Sequence, residues 1–180
     1  MNDEQMEQLV RSCGVDILRF CRITAGSREL GDDLYQDTML TLLEKQELLD
    51  ESRNAKSYAL SVAMKLWKNR KRKWLRRSQL VPQESLEELT ALGIQPGDAA
   101  GSPEEVLLRK QQIFQVRQQV AQLPDTYRIP LQLYYSAGLA VSGIAEVLKL
   151  PENTVKSRLH RAKKMIRTQL EEMEYGRPGI

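Results

Sequence analysis

Between Asn153 and Thr168 every charged side chain is a cation: Lys156, Arg158, Arg161, Lys163, Lys164 and Arg167. Val155, Leu159, Ala162 and Ile166 recur at the three-to-four-residue spacing that gathers apolar groups on one side of a helix. The cations fall mostly on the rest of its surface. Asn153, Thr154, Lys156, Ser157, Arg158 and Arg161 are then free to face a polyanion, with Lys164 beside them. Arg and Asn can pair with guanine and adenine edges, whereas Lys chiefly holds phosphate. The chemistry to expect is nucleic-acid recognition; the alternative is an ordinary helical hairpin with a solvated face.

A helix that lies in a major groove must be propped there by another. The segment from Ser136 to Arg167 reads as two short helices joined by a tight turn, a helix–turn–helix. Ile144 and Leu148 are expected to face the core with Val155 and Leu159, and Ala145 is small where the helices would approach most closely. The turn would usually carry glycine where Lys149 stands, and a left-handed lysine costs on the order of 1 kcal/mol. Pro151 stands near the second helix's cap, where Ser or Asp would serve better.

The charge elsewhere is segregated in the same manner. The formal net charge is only +3, yet residues 56–77 hold Lys56, Lys65, Lys68, Arg70, Lys71, Arg72, Lys73, Arg76 and Arg77 and no acid. Residues 78–104 reverse this, with Glu84, Glu87, Glu88, Asp98 and Glu104 and no Lys or Arg. Two basic blocks around an acidic spacer suggest two contacts with one polyanion, because solvated faces usually mix both signs. Tyr58, Trp67 and Trp74 interleave with the first block, a pattern suited to a partly unstacked strand, with cations on phosphates and rings on bases. Taken singly, each tryptophan is expected in the core.

The elements that position these groups read as helices throughout. Helices are expected over about residues 3–24, 32–48 and 56–77, with Leu9, Cys13, Ile17, Phe20 and Cys21 buried in the first. In the third, Tyr58, Val62 and Leu66 track the inner face, continued by Asn69 or Trp74. Gly26 and Gly31 frame a turn, and Asp32 and Asp33 suit a first helical turn, where free backbone N–H groups favour negative charge. A polar loop runs from Leu49 to Ala55. Pro82, Gly93, Pro96, Gly97 and Gly101 mark residues 78–104 as a linker. Ser102, Pro103 and Glu105 form a capping box that opens a fourth helix, stopped by Leu123-Pro124. A fifth helix, about Thr126 to Ser136, tolerates Pro130 only near its start. Residues from Tyr175 to Ile180 are expected to fray. The fold class is all-α: two small helical domains, 1–77 and 105–175, joined by a flexible acidic linker, 78–104.

Other chemistries find little support. Cys13 and Cys21 are eight positions apart, about 12 Å along a helix, too far to bridge. They are expected as reduced core or boundary residues. His160 has no ligand partner at zinc spacing, so neither a metal nor a cofactor is expected. No signal peptide and no apolar run long enough to cross a bilayer stands out, and a cytoplasmic protein is expected.

One further segment, DDLYQDTMLTLLE at residues 32–44, sets an acidic and amide face beside an apolar stripe. By itself it is an ordinary amphipathic helix or a protein-binding surface. With its neighbours it resembles a family. The segment looks like the most characteristic helix of domain two in bacterial sigma factors, and YRIPLQLYYSAGL with IAEVLKLPENTVKSRLHRAKK looks like domain four. Two domains with an acidic linker resemble the extracytoplasmic-function subgroup. The resemblance covers about residues 5–170. It implies a non-enzymatic initiation factor whose partners are core RNA polymerase, promoter DNA and an anti-sigma factor. Asp33, Gln36 and Asp37 would contact the polymerase clamp. Ser52, Arg53 and Asn54 would lie in the loop that captures a flipped base of the −10 element, and Lys56, Lys65, Lys68 and Arg72 would steady the melted strand. Lys156, Arg158 and Arg161 would read the −35 element. Lys65 and Met39 depart from the family's frequent Asn and Phe. The rival readings are a dimeric helix–turn–helix regulator of duplex DNA, which leaves residues 56–77 unused, and a nucleic-acid enzyme, for which no carboxylate or metal set can be assembled.

Overall fold

The structure, a computed structural model, describes residues 3–45, 54–78 and 102–175. Among these there are seven helices and no strand, as the apolar spacing predicts: α1 (Asp3–Ala25), α2 (Arg28–Glu44), α3 (Ala55–Ser78), α4 (Pro103–Gln122), α5 (Asp125–Tyr135), α6 (Val141–Leu148) and α7 (Glu152–Tyr175). Ser52 and Arg53, all but the ends of the acidic linker, and the tail after Tyr175 lie outside the described residues. The helices fall into two compact units. One holds α1, α2, α3, the last turn of α5 and α6; the other holds α4, the start of α5 and α7 from Asn153 onward.

In the first unit α1 packs on α2 and α3, α2 packs on α3, and α3 also meets α6. Leu9, Ile17, Phe20 and Cys21 are buried on α1 as their spacing predicts, while Cys13 is half-buried. Burial pushes the Cys21 thiol up to about 12. The second helix starts earlier than expected. Ser27 caps it, its Oγ accepting from the Leu30 N–H at 3.2 Å, so Asp32 and Asp33 sit in its second turn. Gly31 is not part of a turn. It lies inside α2 against α1, where a Cβ would stand 2.3 Å from the Arg22 Cα. The same approach lets Arg22 Nε donate to Asp32 Oδ1 at 2.6 Å. That hydrogen bond holds the Asp32 carboxyl below its ordinary range and raises the Arg22 guanidinium.

The buried stripe of α3 is rotated from the expected one. Ala59, Leu60, Ala63, Met64 and Trp67 are innermost, and Tyr58, Val62 and Leu66 are half-buried. The reason is steric: a helix contacted from three sides comes closest where its side chains are smallest, so Ala59 and Ala63 take the centre. Trp67 is in the core as expected. Trp74 is 40% exposed, meeting Trp67 edge to face with centroids 5.5 Å apart.

In the second unit the capping box is formed. Glu105 N–H donates to Ser102 Oγ at 3.3 Å, and Ser102 N–H to Glu105 Oε2 at 3.2 Å. Arg128 ties the start of α5 to the end of α4: Nη1 donates to the Ala121 carbonyl at 3.1 Å, and Nη2 pairs with Asp125. Pro130 stands deeper inside α5 than expected and is buried. It deprives the Thr126 carbonyl of a helical donor, but Thr126 is exposed, so water can serve that oxygen.

The turn before α7 has the expected form. Lys149 is left-handed, with φ 54° and ψ 50°. Its N–H reaches the Glu146 carbonyl at 3.3 Å, and the Leu150 N–H reaches Ala145 at 3.0 Å. This pair of bonds satisfies the last carbonyls of α6 in the Schellman manner, with an apolar residue next after the left-handed one.

Three outcomes follow for stability, each measured by equilibrium denaturation. Gly31→Ala should destabilise by about 3 kcal/mol, because the new methyl meets backbone that cannot give way. Lys149→Gly should stabilise by roughly 0.5–1 kcal/mol by relieving the left-handed strain. Asp32→Asn should be less stable than the parent at neutral pH. Since the Asp32 pKa is depressed in the folded state, its contribution is present above the unfolded pKa and is lost as pH falls through the folded one. The two proteins should therefore converge in acid; a gap independent of pH would rule out the ionised pair.

Candidate nucleic-acid and partner faces

On α2 the bond from Arg22 fixes Asp32, and the helix turns Asp33, Gln36 and Asp37 outward, all exposed. Asp37 is not solitary. Its Oδ2 accepts from Arg70 Nη2 of α3 at 2.5 Å. Leu40 and Leu43 are exposed one turn further along. The result is an acidic and amide patch bordered by apolar side chains, suited to another protein's mixed surface.

The basic residues of α3 divide into two sets. Lys65, Lys68 and Arg72 are exposed and lie at spacings that place them on one face. Arg72 Nη2 donates to Asn69 Oδ1 at 2.5 Å, which steadies the guanidinium. Lys56 does not join them. Nine residues before Lys65 is about two and a half turns, and thus the opposite side of the helix. There its Nζ donates to Asp16 Oδ2 of α1 at 2.6 Å, and its side chain is only 17% exposed. Asn54 caps α3, its Oδ1 accepting from the N–H groups of Lys56 at 3.1 Å and Ser57 at 3.3 Å. Its residue surface is exposed, beside Arg53, which lies outside the described residues. Asp16 and Arg70, the internal counter-ions, were not anticipated; no local pattern marks an ion pair between positions 16 and 56 or 37 and 70.

In the second unit Val155, Leu159 and Ala162 of α7 are buried. Asn153, Lys156, Ser157, Arg161 and Lys164 are exposed, and Thr154 and Arg158 are half-buried. At ~100° per residue, Asn153, Lys156, Lys164 and Arg167 fall within one arc opposite the buried stripe, and Arg161 flanks it. Arg158 lies at the edge of the stripe and is half-buried. Ser157 Oγ donates to the Asn153 carbonyl at 2.9 Å, which leaves its oxygen as an acceptor. His160 falls in the middle of the same arc and is exposed. Its helical phase marks it for the face, although metal spacing does not.

Among the described residues no group of His, Cys, Asp and Glu is placed to hold a metal ion, and no helix is long and apolar enough to cross a membrane. What the two units offer is recognition: an acidic-apolar patch with a cationic face beside it on one, and a cationic helix on the other.

Comparison with known proteins gives this arrangement a family. The profile of Sigma-70 region 2 matches residues 9–77, and that of Sigma-70, region 4 matches residues 113–166. The ECF RNA polymerase sigma factor SigW of Bacillus subtilis (strain 168) is 26% identical over 164 residues, spanning 87% of this chain and 84% of that protein. The fold is similar to that of the sigma factor RpoE solved with the anti-sigma factor NepR from Bartonella quintana. The TM-score is 0.71 at 21% identity, over 94% of this chain and 98% of that one. It is similar also to CnrH solved with the cytosolic domain of CnrY, with a TM-score of 0.65 at 16% identity, over 94% and 90% of the two chains. With region 2 on α1 to α3, region 4 on α4 to α7 and SigW similar along most of its length, the chain belongs to the sigma-70 family of RNA polymerase sigma factors, in its extracytoplasmic-function subgroup.

Proposed function

We infer that this chain binds core RNA polymerase and directs initiation at promoters through binding alone, with no bond chemistry of its own. The observation that carries the reading is that both Sigma-70 regions occur in one chain and each bears an exposed polar or cationic face. Residues 1–77 and 105–175 are the two functional domains in this reading, with 78–104 as tether. Asp33, Gln36 and Asp37, with Leu40 and Leu43 at their edge, meet the polymerase clamp. Arg53 and Asn54 hold a base extruded from the −10 element, whose unstacking costs a few kcal/mol that pocket contacts must offset. Lys65, Lys68 and Arg72 hold the backbone of the opened strand; Lys56, on the other side of α3 and paired with Asp16, does not share their face. The face of α7, with Asn153, Thr154, Lys156, Ser157, Arg158, Arg161 and Lys164, reads the −35 element. Since RpoE was solved with the anti-sigma factor NepR, an inhibitory partner of that kind is part of the reading. So is a cytoplasmic location, where polymerase works.

The test is run-off transcription with purified core polymerase and a genomic fragment library. Defined start sites should appear only when the chain is added, and aligning them should return two separated motifs. Failure to co-elute with core polymerase, with no change in start sites, would overturn the reading. Asp33→Lys should weaken retention by core polymerase about tenfold, ~1.4 kcal/mol. Arg158→Ala should relax discrimination at one base pair of the upstream motif by ~1–3 kcal/mol, whereas Lys164→Ala should weaken all sequences alike and reduce the salt slope by about 1. Equal losses on every sequence for both variants would remove Arg158 from base readout.

A further inference from the structure

The buried stripe of α3 continues past the point where its neighbours cover it. Trp74 stands seven positions after Trp67, about 20° from it around the helix at ~100° per residue. It is in phase with the core, yet it is 40% exposed where Trp67 is 9% exposed. The rings meet edge to face with centroids 5.5 Å apart, a contact that orients the Trp74 indole without burying it. A single exposed ring needs no explanation by itself; this one borders a patch.

Arg70 lies one turn before Trp74 and about 40° from it around the helix. Its Nη2 donates to Asp37 Oδ2 of α2 at 2.5 Å, and its side chain is 24% exposed. Through that ion pair the end of α3 joins the face of α2 on which Asp33, Gln36 and Asp37 are exposed beside Leu40. Two other occupants fit the ring less well. Lys65, Lys68 and Arg72 centre about 150° away from Trp74 on the same helix, so a DNA strand lying along those cations leaves the indole on the far side. A second copy in a two-fold contact would set the same acids against one another.

We propose that Trp74 extends the polymerase-binding surface from α2 onto α3 and is its apolar anchor, with Arg70 joining the two parts. The proposal rests on the reading of the α2 face as the polymerase contact, and it adds a residue outside that helix. The partner surface that fits carries cations for Asp33 and Asp37 and an apolar recess for the ring. Tryptophan suits an anchor because it offers a large contact area on few rotatable bonds. The stack on Trp67 orders the ring beforehand, which lowers the entropy lost on binding.

The first test uses the full parental chain. In hydroxyl-radical footprinting read by mass spectrometry, core polymerase should slow oxidation of Trp74 at least about threefold, because an anchor excludes water. Single-stranded DNA of about 20 nucleotides, enough for one binding groove, should give no such protection. Trp74→Ala should weaken binding to immobilised core polymerase at least about tenfold. Trp74→Phe, which keeps a ring against Trp67, should lose less. Leu75→Ala, 59% exposed in the parent and ~100° around the helix from Trp74, should stay within about twofold of the parent. Absence of protection by polymerase, parental affinity in Trp74→Ala, or an equal loss in Leu75→Ala would each overturn the anchor. Protection by the DNA would assign the ring to base stacking, and protection that rises with protein concentration alone would assign it to self-association; both overturn the proposal. The parent separates the two readings. If it binds polymerase and directs initiation while Trp74 is indifferent, the anchor falls and the initiation role stands. A parent that never binds polymerase defeats the initiation role, and the anchor with it.

Discussion

The close approach of α2 to α1 at Gly31 is the constraint on which the first unit depends. With no Cβ at that position the backbone of α2 can settle against Arg22. The approach also brings Asp32 within hydrogen-bond distance of the Arg22 guanidinium. Steric contact and ion pair together set the rotation of α2 about its own axis. That rotation decides which residues face inward, Leu34, Thr38 and Leu42, and which face out, Asp33, Gln36 and Asp37. Since side chains on a helix recur about every 3.6 residues, a small error in this rotation would trade one set for the other. The polymerase-facing patch in our reading is thus a consequence of one missing methyl group.

Formal charge overstates what α3 presents to a polyanion. Arg70 is bound to Asp37 and Lys56 to Asp16, so two cations of the basic run are partly neutralised inside the protein. Both pairs join α3 to its neighbours. Pairs of this kind reduce the field at the surface, and salt screens what remains over about 10 Å at 0.1 M. The exposed cations of the run include Lys65, Lys68 and Arg72, with Lys73 and Arg76 beyond them. Between Asn153 and Thr168 α7 carries no acid; the acids of that helix, Glu152 and those from Glu171 onward, stand at its two ends.

Two recognition faces on one tether gain from each other only when a partner holds both. The first contact then makes the second intramolecular, at an effective concentration fixed by the tether and the spacing of the sites. That logic explains why neither face needs to be strong alone.

Much of this was legible in the chain itself. The all-α class, the capping box at Ser102 and Glu105, the left-handed Lys149 and the buried stripe of α7 follow from local rules: helical periodicity, capping chemistry and the conformational demands of a tight turn. They need only a few consecutive residues, so the amino-acid order suffices. The early start of α2 was also within reach, since Ser27 is a good cap, but Gly31 reads locally as a turn residue and masks it. The role of Gly31, the rotated stripe of α3, the exposure of Trp74, and the counter-ions of Lys56 and Arg70 were decided by tertiary structure alone. Each depends on which helix lies opposite, and residues as distant as Asp16 and Lys56, or Ser57 and Gly143, meet only after packing. Periodicity tells which side of a helix is apolar; it cannot tell how near the neighbour comes or what charge it carries.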